Sequence, residues 1–295
     1  MTDGQVLVTG GGGQLASDLD EQLGRLGAQV HAPARSELDI TDELAVARTF
    51  DELRPTLVFN CAAFHNVDVC EREEDRAFEV NGRAVKRLAE RCRAHGARLV
   101  HFSTNYVFDG SSAEPYGELD LPAPRSVYAI SKLAGEHAAL AYAPGALVVR
   151  TAGLYGRHGS ASKGGNFVVR MIARAREQGK LSVVADQRLS PTYTSDLAGA
   201  LIQAVDRGAS GVLHITNGGE CSWYEFTRAI VELASVDIPV EPVPTVVPEG
   251  GASRPLNGVL ARPRADAAGL EQLRPWRDAL EDYMLSAGLT PAAAR

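Results

Sequence analysis

The hydrophobic positions of the first 150 residues follow two alternating patterns. Short apolar runs at 5–9, 29–31, 56–60, 98–103 and 146–150 predict strands, and apolar residues recur at helical spacing between them. These repeats predict helices that end near Leu26 and cover about 42–53, 75–95 and 126–141. Strands that alternate with helices pair in parallel and carry helices on both faces of the sheet. We therefore expect an α/β fold built on a doubly wound parallel sheet.

The pattern changes after residue 150. A helix at 167–178, a strand at 181–184 and a helix that begins at Thr194 are expected to extend the first region, whereas prolines interrupt the chain from Pro239 onward. We expect a core at 1–150 and a mixed region at 151–235 that completes the core sheet and lines a substrate cleft. A smaller C-terminal lobe at 236–295 is expected to bind mainly substrate, and residues 290–295 are expected to fray.

Composition and charge narrow the classes of partner. Hydrophobic residues make up 45% and charged residues 23% of the 295 positions, as in ordinary globular proteins. The formal net charge of -7 argues against a nucleic-acid surface, which needs a concentrated basic face. No apolar run reaches the roughly 20 residues that cross a bilayer, and the first residues lack the pattern of a signal peptide. We expect a cytoplasmic protein with a small-molecule partner, without nucleic acid or membrane. No metal site is predicted, because the cysteines form no C-x-x-C pair (Cys61, Cys70, Cys92 and Cys221).

A glycine-rich turn joins the first strand to the first helix. Four glycines at 10–13 follow Thr9, and Ala16 takes the place of a third spaced glycine. A sharp turn here lets backbone amides and the positive end of a helix meet a pyrophosphate. A glycine run alone also fits a flexible turn, but its place between strand and helix predicts a Rossmann-like dinucleotide site.

The residues after the second strand indicate whether the cofactor is NADPH or NADH. The acidic residue that holds the ribose hydroxyls of NAD, about 20 positions beyond the turn, is missing there. Arg35 lies in this segment and fits a 2′-phosphate, although a solvated surface arginine fits the pattern equally well. We therefore favour NADPH over NADH as cofactor, with Asp39 and Ile40 next to the adenine.

A tyrosine and a lysine lie four residues apart on the helix predicted at 126–141. Tyr128 and Lys132 project from one face of that helix. A nearby cation favours an ionised phenol, so we expect Lys132 to lower the pKa of Tyr128 and to make it an acid-base group near neutrality. Ser103 or Thr104, at the carboxyl end of the fourth strand, supplies a hydroxyl for a substrate oxygen. A tyrosine and a lysine at this spacing also occur on helix surfaces without a function, and a hydroxyl at the end of a strand can simply cap a turn. The prediction of an active site therefore depends on finding both together with the glycine turn.

These elements together resemble the dTDP-4-dehydrorhamnose reductase family of the extended short-chain dehydrogenase/reductase superfamily. The similar segments run from end to end and lie at 38–41, 60–64, 67–68, 103–110, 128–136, 166–167, 190–192 and 254–257. The resemblance implies that a reduced nicotinamide cofactor reduces the 4-keto group of a nucleotide-activated 6-deoxysugar, dTDP-4-dehydrorhamnose or a close relative. A homodimer is compatible with it.

The resemblance also implies roles for individual residues. Tyr128 would be the proton donor, Lys132 its partner and a ligand of the nicotinamide ribose, and Thr104 the hydroxyl that polarises the substrate. The further residues implied along the cofactor are Gly10, Gly12, Gly13, Gln14, Leu15, Ala62, Ala63 and Phe64. The residues implied near the sugar nucleotide are Thr104, Asn105, Gly153, Asn166 and Arg254.

Two departures from the family pattern leave the identity of the substrate sugar undetermined. The family usually has aspartate at the position of Asn105, and a serine-tryptophan pair where this chain has Ala152 and Gly153. Both changes affect the substrate side, so a related 4-keto-6-deoxysugar is an alternative substrate. An epimerase that retains NAD and a non-catalytic regulatory subunit are the alternative functions, whereas Asn105 and Tyr106 cannot replace the acidic pair of a dehydratase.

Overall fold

The computed structural model describes residues 4–158 and 165–290. Its strands are β1 (Gln5–Thr9), β2 (Gln29–His31), β3 (Leu57–Asn60), β4 (Arg98–Thr104), β5 (Leu147–Thr151), β6 (Leu154–Tyr155), β7 (Leu181–Val184), β8 (Arg188–Leu189), β9 (Thr192–Tyr193), β10 (Gly211–His214), β11 (Cys221–Ser222) and β12 (Val240–Val243). Its helices are α1 (Gln14–Arg25), α2 (Glu43–Leu53), α3 (Val67–Arg72), α4 (Glu74–Phe78), α5 (Ala84–His95), α6 (Val127–Tyr142), α7 (Phe167–Gln178), α8 (Thr194–Asp206), α9 (Trp223–Leu233), α10 (Pro263–Ala267) and α11 (Trp276–Ser286). None of these helices is long and apolar enough to cross a bilayer. The fraying expected for 290–295 falls outside the described residues, except at Thr290.

Six parallel strands form the main sheet in the order β10-β5-β4-β3-β1-β2. The chain reverses its direction of travel across the sheet between β1 and β3, which opens a ligand crevice at the carboxyl ends of the strands. The predicted doubly wound parallel sheet is confirmed.

The two faces of this sheet bury alternate residues of each strand. Val6 and Val8 pack in a cluster with α1 and α8, whereas Leu7 packs on the opposite face with α2, α5 and α6. Successive side chains of a strand point to opposite faces. Because helices cover both faces, apolar residues point to both sides of these strands, and this produced the short apolar runs of the sequence.

The helix expected at 75–95 is interrupted. A π-helical turn, Glu79–Arg83, separates α4 from α5 and holds the fully buried Asn81. Such turns are often found at functional sites. The short helix α3 was not predicted; the Asn66 side chain caps it by accepting a hydrogen bond from Val69 N at 3.3 Å.

Within 151–235, the main sheet is completed by β10 and not by the strand at 181–184. This strand, β7, pairs in parallel with β12 from the proline-rich part of the chain. The last strand of the main sheet is β10, which was not predicted because it is short and begins with glycine.

Three helices, α7, α9 and α11, form a second core beside the main sheet. Residues of α7, α9 and α11 pack around the buried Tyr155. Ala265 of α10 and Leu270 pack instead into the cluster that covers the main sheet. The C-terminal part therefore shares a hydrophobic core with the strands.

Candidate active site

The glycine turn between β1 and α1 is shaped to receive an anion. Gly10 and Gly12 have φ of +74° and +76°, a region that glycine adopts at no steric cost. A Cβ on Gly10 would lie 2.9 Å from Ala62 N, so the turn approaches the end of β3 closely. No side chain caps α1, whose first turn lacks an acidic residue. Its first N–H groups are thus left to bind a phosphate.

Other features beside this turn also fit a dinucleotide. Gln14 Oε1 is buried and has no hydrogen-bond partner within the described parts of the chain. Ile40 packs in a small apolar cluster against which Ala62 and Phe64 lie. These residues come together as expected and form an apolar wall next to the polar turn.

Arg35 and Asp39 form an ion pair near the surface. Both Nε and Nη2 of Arg35 donate to Asp39 Oδ2 at 2.9 Å. Burial opposes ionisation of Asp39, but hydrogen bonds from Thr41 and Arg35 outweigh it and lower the pKa of this carboxyl. The pair presents a guanidinium to solvent in the segment where the sequence places the adenosine ribose.

A row of buried polar side chains crosses the sheet beneath the crevice. Thr9 Oγ1 donates to Asn60 Oδ1 at 2.7 Å, and Asn60 Nδ2 lies 3.1 Å from His101 Nδ1. Burial and the charge of Lys132 hold the pKa of His101 well below its usual range. His101 is therefore neutral and aligns the strand ends instead of carrying charge.

The three predicted catalytic residues lie on β4 and α6. Thr104 ends β4, and its hydroxyl lies close to the Tyr128 phenol. Ser126 caps α6 by accepting a hydrogen bond from Ala129 N at 3.3 Å, which fixes the turn that holds Tyr128. Lys132 follows one turn later and is buried near His101 and Cys61.

Burial sets the pKa values of the tyrosine and the lysine. It raises the pKa of Tyr128, against the opposing effect of the nearby Thr104 hydroxyl. It lowers the pKa of Lys132 from 10.5 to about 8, with Glu136 opposing the change. The expectation that Lys132 lowers the pKa of Tyr128 is therefore wrong, because the cost of burying a phenolate prevails. Tyr128 keeps its proton through neutral pH, as a proton donor must.

Asn81 is a positioning residue that the sequence analysis missed. Its Oδ1 accepts from Phe64 N at 2.9 Å, while its Nδ2 donates to Phe64 O at 2.9 Å and to Ser131 Oγ at 3.0 Å. Asn81 thereby joins the segment after β3 to the catalytic helix α6. An asparagine in the middle of a predicted helix, where it is a poor helix former, was the available signal.

Two of the expected substrate residues lie close to the catalytic pair. Arg254 Nη2 donates to Asp68 Oδ2 at 2.7 Å and lies close to the Tyr106 side chain. The Tyr106 ring meets the Tyr128 ring edge to face, with 5.9 Å between centroids. Asn105 directly follows Thr104 and is buried.

Asn166 and Gly153, which were also expected near the sugar nucleotide, are held by structural contacts. Asn166 caps α7, and its Nδ2 donates to Gly156 O at 2.7 Å and to the Tyr283 hydroxyl at 2.6 Å. These bonds occupy its amide, and the described contacts do not connect it with Tyr128. Gly153 has φ of +56°, and a Cβ there would lie 2.7 Å from Leu189 Cδ1. A larger side chain at 153 therefore requires a different local backbone.

The chain is similar to known proteins over nearly its whole length. A family model described as the RmlD substrate binding domain matches residues 4–288. A dTDP-4-keto-6-deoxy-D-glucose reductase of Streptomyces niveus is 43% identical over 95% of this chain and 96% of its own. For a dTDP-4-dehydrorhamnose reductase of Streptomyces griseus the identity is 42%, over 94% of this chain and 91% of its own. The crystal structure of dTDP-4-dehydrorhamnose reductase from Bacillus anthracis in complex with NADP has a TM-score of 0.90 and 35% identity, over 96% of this chain and 99% of that one.

Proposed function

Because this chain belongs to the RmlD substrate binding domain family, that of the dTDP-4-dehydrorhamnose reductases, we infer that it is an NADPH-dependent sugar-nucleotide reductase. It reduces the 4-keto group of a nucleotide-activated 6-deoxysugar, dTDP-4-dehydrorhamnose or a close relative. The observation that carries this function is the meeting of Thr104 and Tyr128, with Lys132 one turn further along α6, at the edge of the sheet that holds the glycine turn.

Each catalytic residue has a distinct part in the proposed reaction. When bound, the reduced nicotinamide supplies a hydride to the ketone carbon. Tyr128 gives its proton to the ketone oxygen, so that a carbonyl becomes an alcohol and the phenol becomes a phenolate. The Lys132 ammonium stabilises that phenolate, and Thr104 donates a hydrogen bond to the oxygen as charge develops. The phenolate then recovers a proton from solvent.

We propose that the diphosphate of the cofactor binds at the start of α1 and that Arg35 binds the 2′-phosphate of NADPH. Support comes from the uncapped helix end and from a guanidinium that is 62% exposed beside Asp39. Arg35→Ala is expected to raise KM for NADPH by roughly 10- to 100-fold, the effect of losing a charge-assisted hydrogen bond. KM for NADH should change far less. Equal changes for both cofactors would reject this role.

On the substrate side we propose that Asn105 and Arg254 lie next to the sugar nucleotide and that residues 236–295 mainly bind it. Arg254 is only partly exposed and lies in contact with Tyr106 beside the catalytic tyrosine. A cytoplasmic location and a homodimer complete the proposal; sedimentation of the purified protein tests the latter.

The decisive experiment is a panel of 4-keto-6-deoxy nucleotide sugars assayed with NADPH and with NADH. A reductase oxidises one cofactor for each alcohol formed, and NMR of the product gives its configuration. An epimerase converts the sugar without net oxidation of added cofactor. A regulatory subunit binds NADPH but turns over no sugar, and the intact set of Thr104, Tyr128 and Lys132 argues against it.

A further inference from the structure

A short C-terminal segment, residues 254–258, lies against the chain that follows β4, and we call it the strap. The backbone N of Asn257 donates to Gly110 O at 3.2 Å, and Gly258 N donates to Arg188 O at 2.8 Å. The strap is thus held both by the loop after β4 and by β8. It is the part of the proposed substrate lobe that reaches the catalytic end of the sheet.

The Asn105 side chain connects the strap to a catalytic hydroxyl. Its Nδ2 donates to Gly258 O at 2.9 Å, and its Oδ1 accepts from Thr104 Oγ1 at 3.3 Å. Asn105 is only 4% exposed, so both bonds are shielded from water. A Cβ on Gly258 would lie 2.2 Å from Asn105 Nδ2, so the strap can approach this amide only with glycine at that position.

An amide suits this position because it donates and accepts at the same time. A carboxylate has no donor for the Gly258 carbonyl and would place two acceptor oxygens against each other. It would also hold the Thr104 proton more strongly, since charge-assisted hydrogen bonds are stronger than neutral ones. Because Thr104 lies close to Tyr128, two hydrogen bonds and this neighbouring hydroxyl connect the strap with the proton donor.

We propose that Asn105 is a positioning residue that couples the strap to Thr104 and Tyr128, so that seating of a nucleotide sugar under the strap aligns the catalytic hydroxyls. This inference rests on the proposed function. It predicts that Asn105 governs the rate of the chemical step, whereas strap contacts that do not reach Thr104 govern substrate affinity.

Two matched asparagine substitutions separate these effects. Asn105→Asp keeps the shape of the side chain but removes the donor to Gly258. Asn257→Asp is the control, because Asn257 Nδ2 donates to Ser112 O at 2.9 Å and has no described contact with Thr104. At pH 8, Asn105→Asp is expected to lower kcat by roughly 10- to 100-fold, the effect of leaving one buried group unsatisfied. Asn257→Asp is expected to change KM and to leave kcat within about threefold.

The pH profile provides a readout that a merely structural role would not change. A buried carboxyl that faces a carbonyl oxygen favours its protonated form, which again has a donor. The kcat of Asn105→Asp relative to wild type should therefore be highest near pH 5 and fall as pH rises and the donor is lost. The ionisable groups on the surrounding elements are Tyr106, Tyr128, Lys132, the Arg254–Asp68 pair and the Arg188–Glu220 pair. These groups are present in both the wild type and the Asn105→Asp variant, so the ratio of their kcat values reports the effect of position 105 alone.

Gly258→Ala provides a second arm with an unchanged Asn105. The added methyl group displaces the amide and should lower kcat in the same direction. Affinity for NADP⁺ and far-UV circular dichroism verify that each variant is folded. A wild-type kcat for Asn105→Asp at pH 8, or an equal loss of kcat in Asn257→Asp, would overturn the coupling while leaving the reductase function intact. A wild-type enzyme that reduces no keto sugar rejects the proposed function and this inference with it.

Discussion

At the scale of single residues, one physical effect acts on Tyr128 and Lys132 in opposite directions. Burial favours the neutral form of each, and so raises the pKa of the phenol and lowers that of the ammonium. The phenol therefore keeps its proton through neutral pH, as the proposed donor must. In the proposed reaction, a phenolate at Tyr128 would be costly without a cation such as Lys132, which lies one turn further along α6.

Tyr128→Phe is expected to lower turnover by roughly 10²- to 10⁴-fold, the usual contribution of a general acid. The ring that packs against Tyr106 remains, so affinity for NADP⁺ should stay within about threefold. Steady-state turnover and a fluorescence titration of NADP⁺ measure the two quantities. Unchanged turnover would show that another group donates the proton.

The lowered pKa of Lys132 predicts opposite trends for activity and stability. Because the cation is lost as pH rises through about 8, kcat/KM for NADPH should fall above that pH. The unfolded chain binds the proton up to pH 10.5, so Lys132 makes the free energy of unfolding rise with pH between about 8 and 10.5. Lys132→Arg stays charged in this range and should lack both trends. A wild-type kcat/KM that is flat to pH 9.5 would contradict the role of Lys132.

The sequence indicated which side chains to propose as reactive, but not their environments. The spacing of Tyr128 and Lys132 places them on one helix face, because that follows from helix geometry alone. The pKa of Tyr128 depends on what covers it, which is set by residues far away in the chain. For the same reason the sequence could not indicate that the Asn166 amide would donate a hydrogen bond to the Tyr283 hydroxyl of α11.

At the scale of elements, α6 is fixed to the sheet by a buried ion pair one turn beyond Lys132. Arg150 of β5 donates to both oxygens of Glu136, at 2.9 and 2.7 Å, and the two side chains are 4% and 2% exposed. Ser103 of β4 also donates to Glu136. This contact sets the distance between the helix that carries Tyr128 and the strand that carries Thr104.

Glu136→Gln is expected to lower the free energy of unfolding by about 3–5 kcal/mol, because it leaves the Arg150 guanidinium buried without its counter-charge. Glu232→Gln is the matched control, since its partner Arg277 lies at 2.8 Å on the surface. Breaking an exposed pair of this kind costs about 0–1 kcal/mol. Urea denaturation of both variants measures the difference, and similar losses would show that the Glu136 pair has no special weight.

The elements that the hydrophobic pattern predicted are those with a helical apolar face or a short apolar run. Helix α7 and strand β7 begin and end where the sequence placed them, at Phe167–Gln178 and Leu181–Val184. Pairing was harder to predict, because β7 lies beside β12, whose residues are separated from it by α8 and α9 in the chain. The π-turn at Glu79–Arg83 was missed because one extra residue per turn hardly alters the apolar spacing.

At the scale of the whole molecule, the cofactor side and the substrate side share hydrophobic cores. Leu270, close to the C-terminus, packs in the same cluster as Val6 of β1. Helix α11 packs with α7 and α9 around Tyr155, close to the end of the main sheet. Separate unfolding of the C-terminal part would expose the apolar surface of both clusters, so we expect the chain to unfold in one transition.

This cooperativity can be tested with a ligand that contacts only the cofactor side. Both tryptophans, Trp223 and Trp276, lie on α9 and α11, far along the chain from the glycine turn, so their fluorescence reports the substrate side. NADP⁺ at 100 times its Kd is expected to raise the free energy of unfolding by about 2.7 kcal/mol if it binds only the folded chain. In a cooperative molecule, urea transitions followed by tryptophan fluorescence and by far-UV circular dichroism shift together by this amount. The contrary result is a fluorescence transition that stays at the same urea concentration while part of the dichroism signal shifts. The C-terminal part would then be an independent unfolding unit. Coupling through the strap would in that case have to act without a shared core.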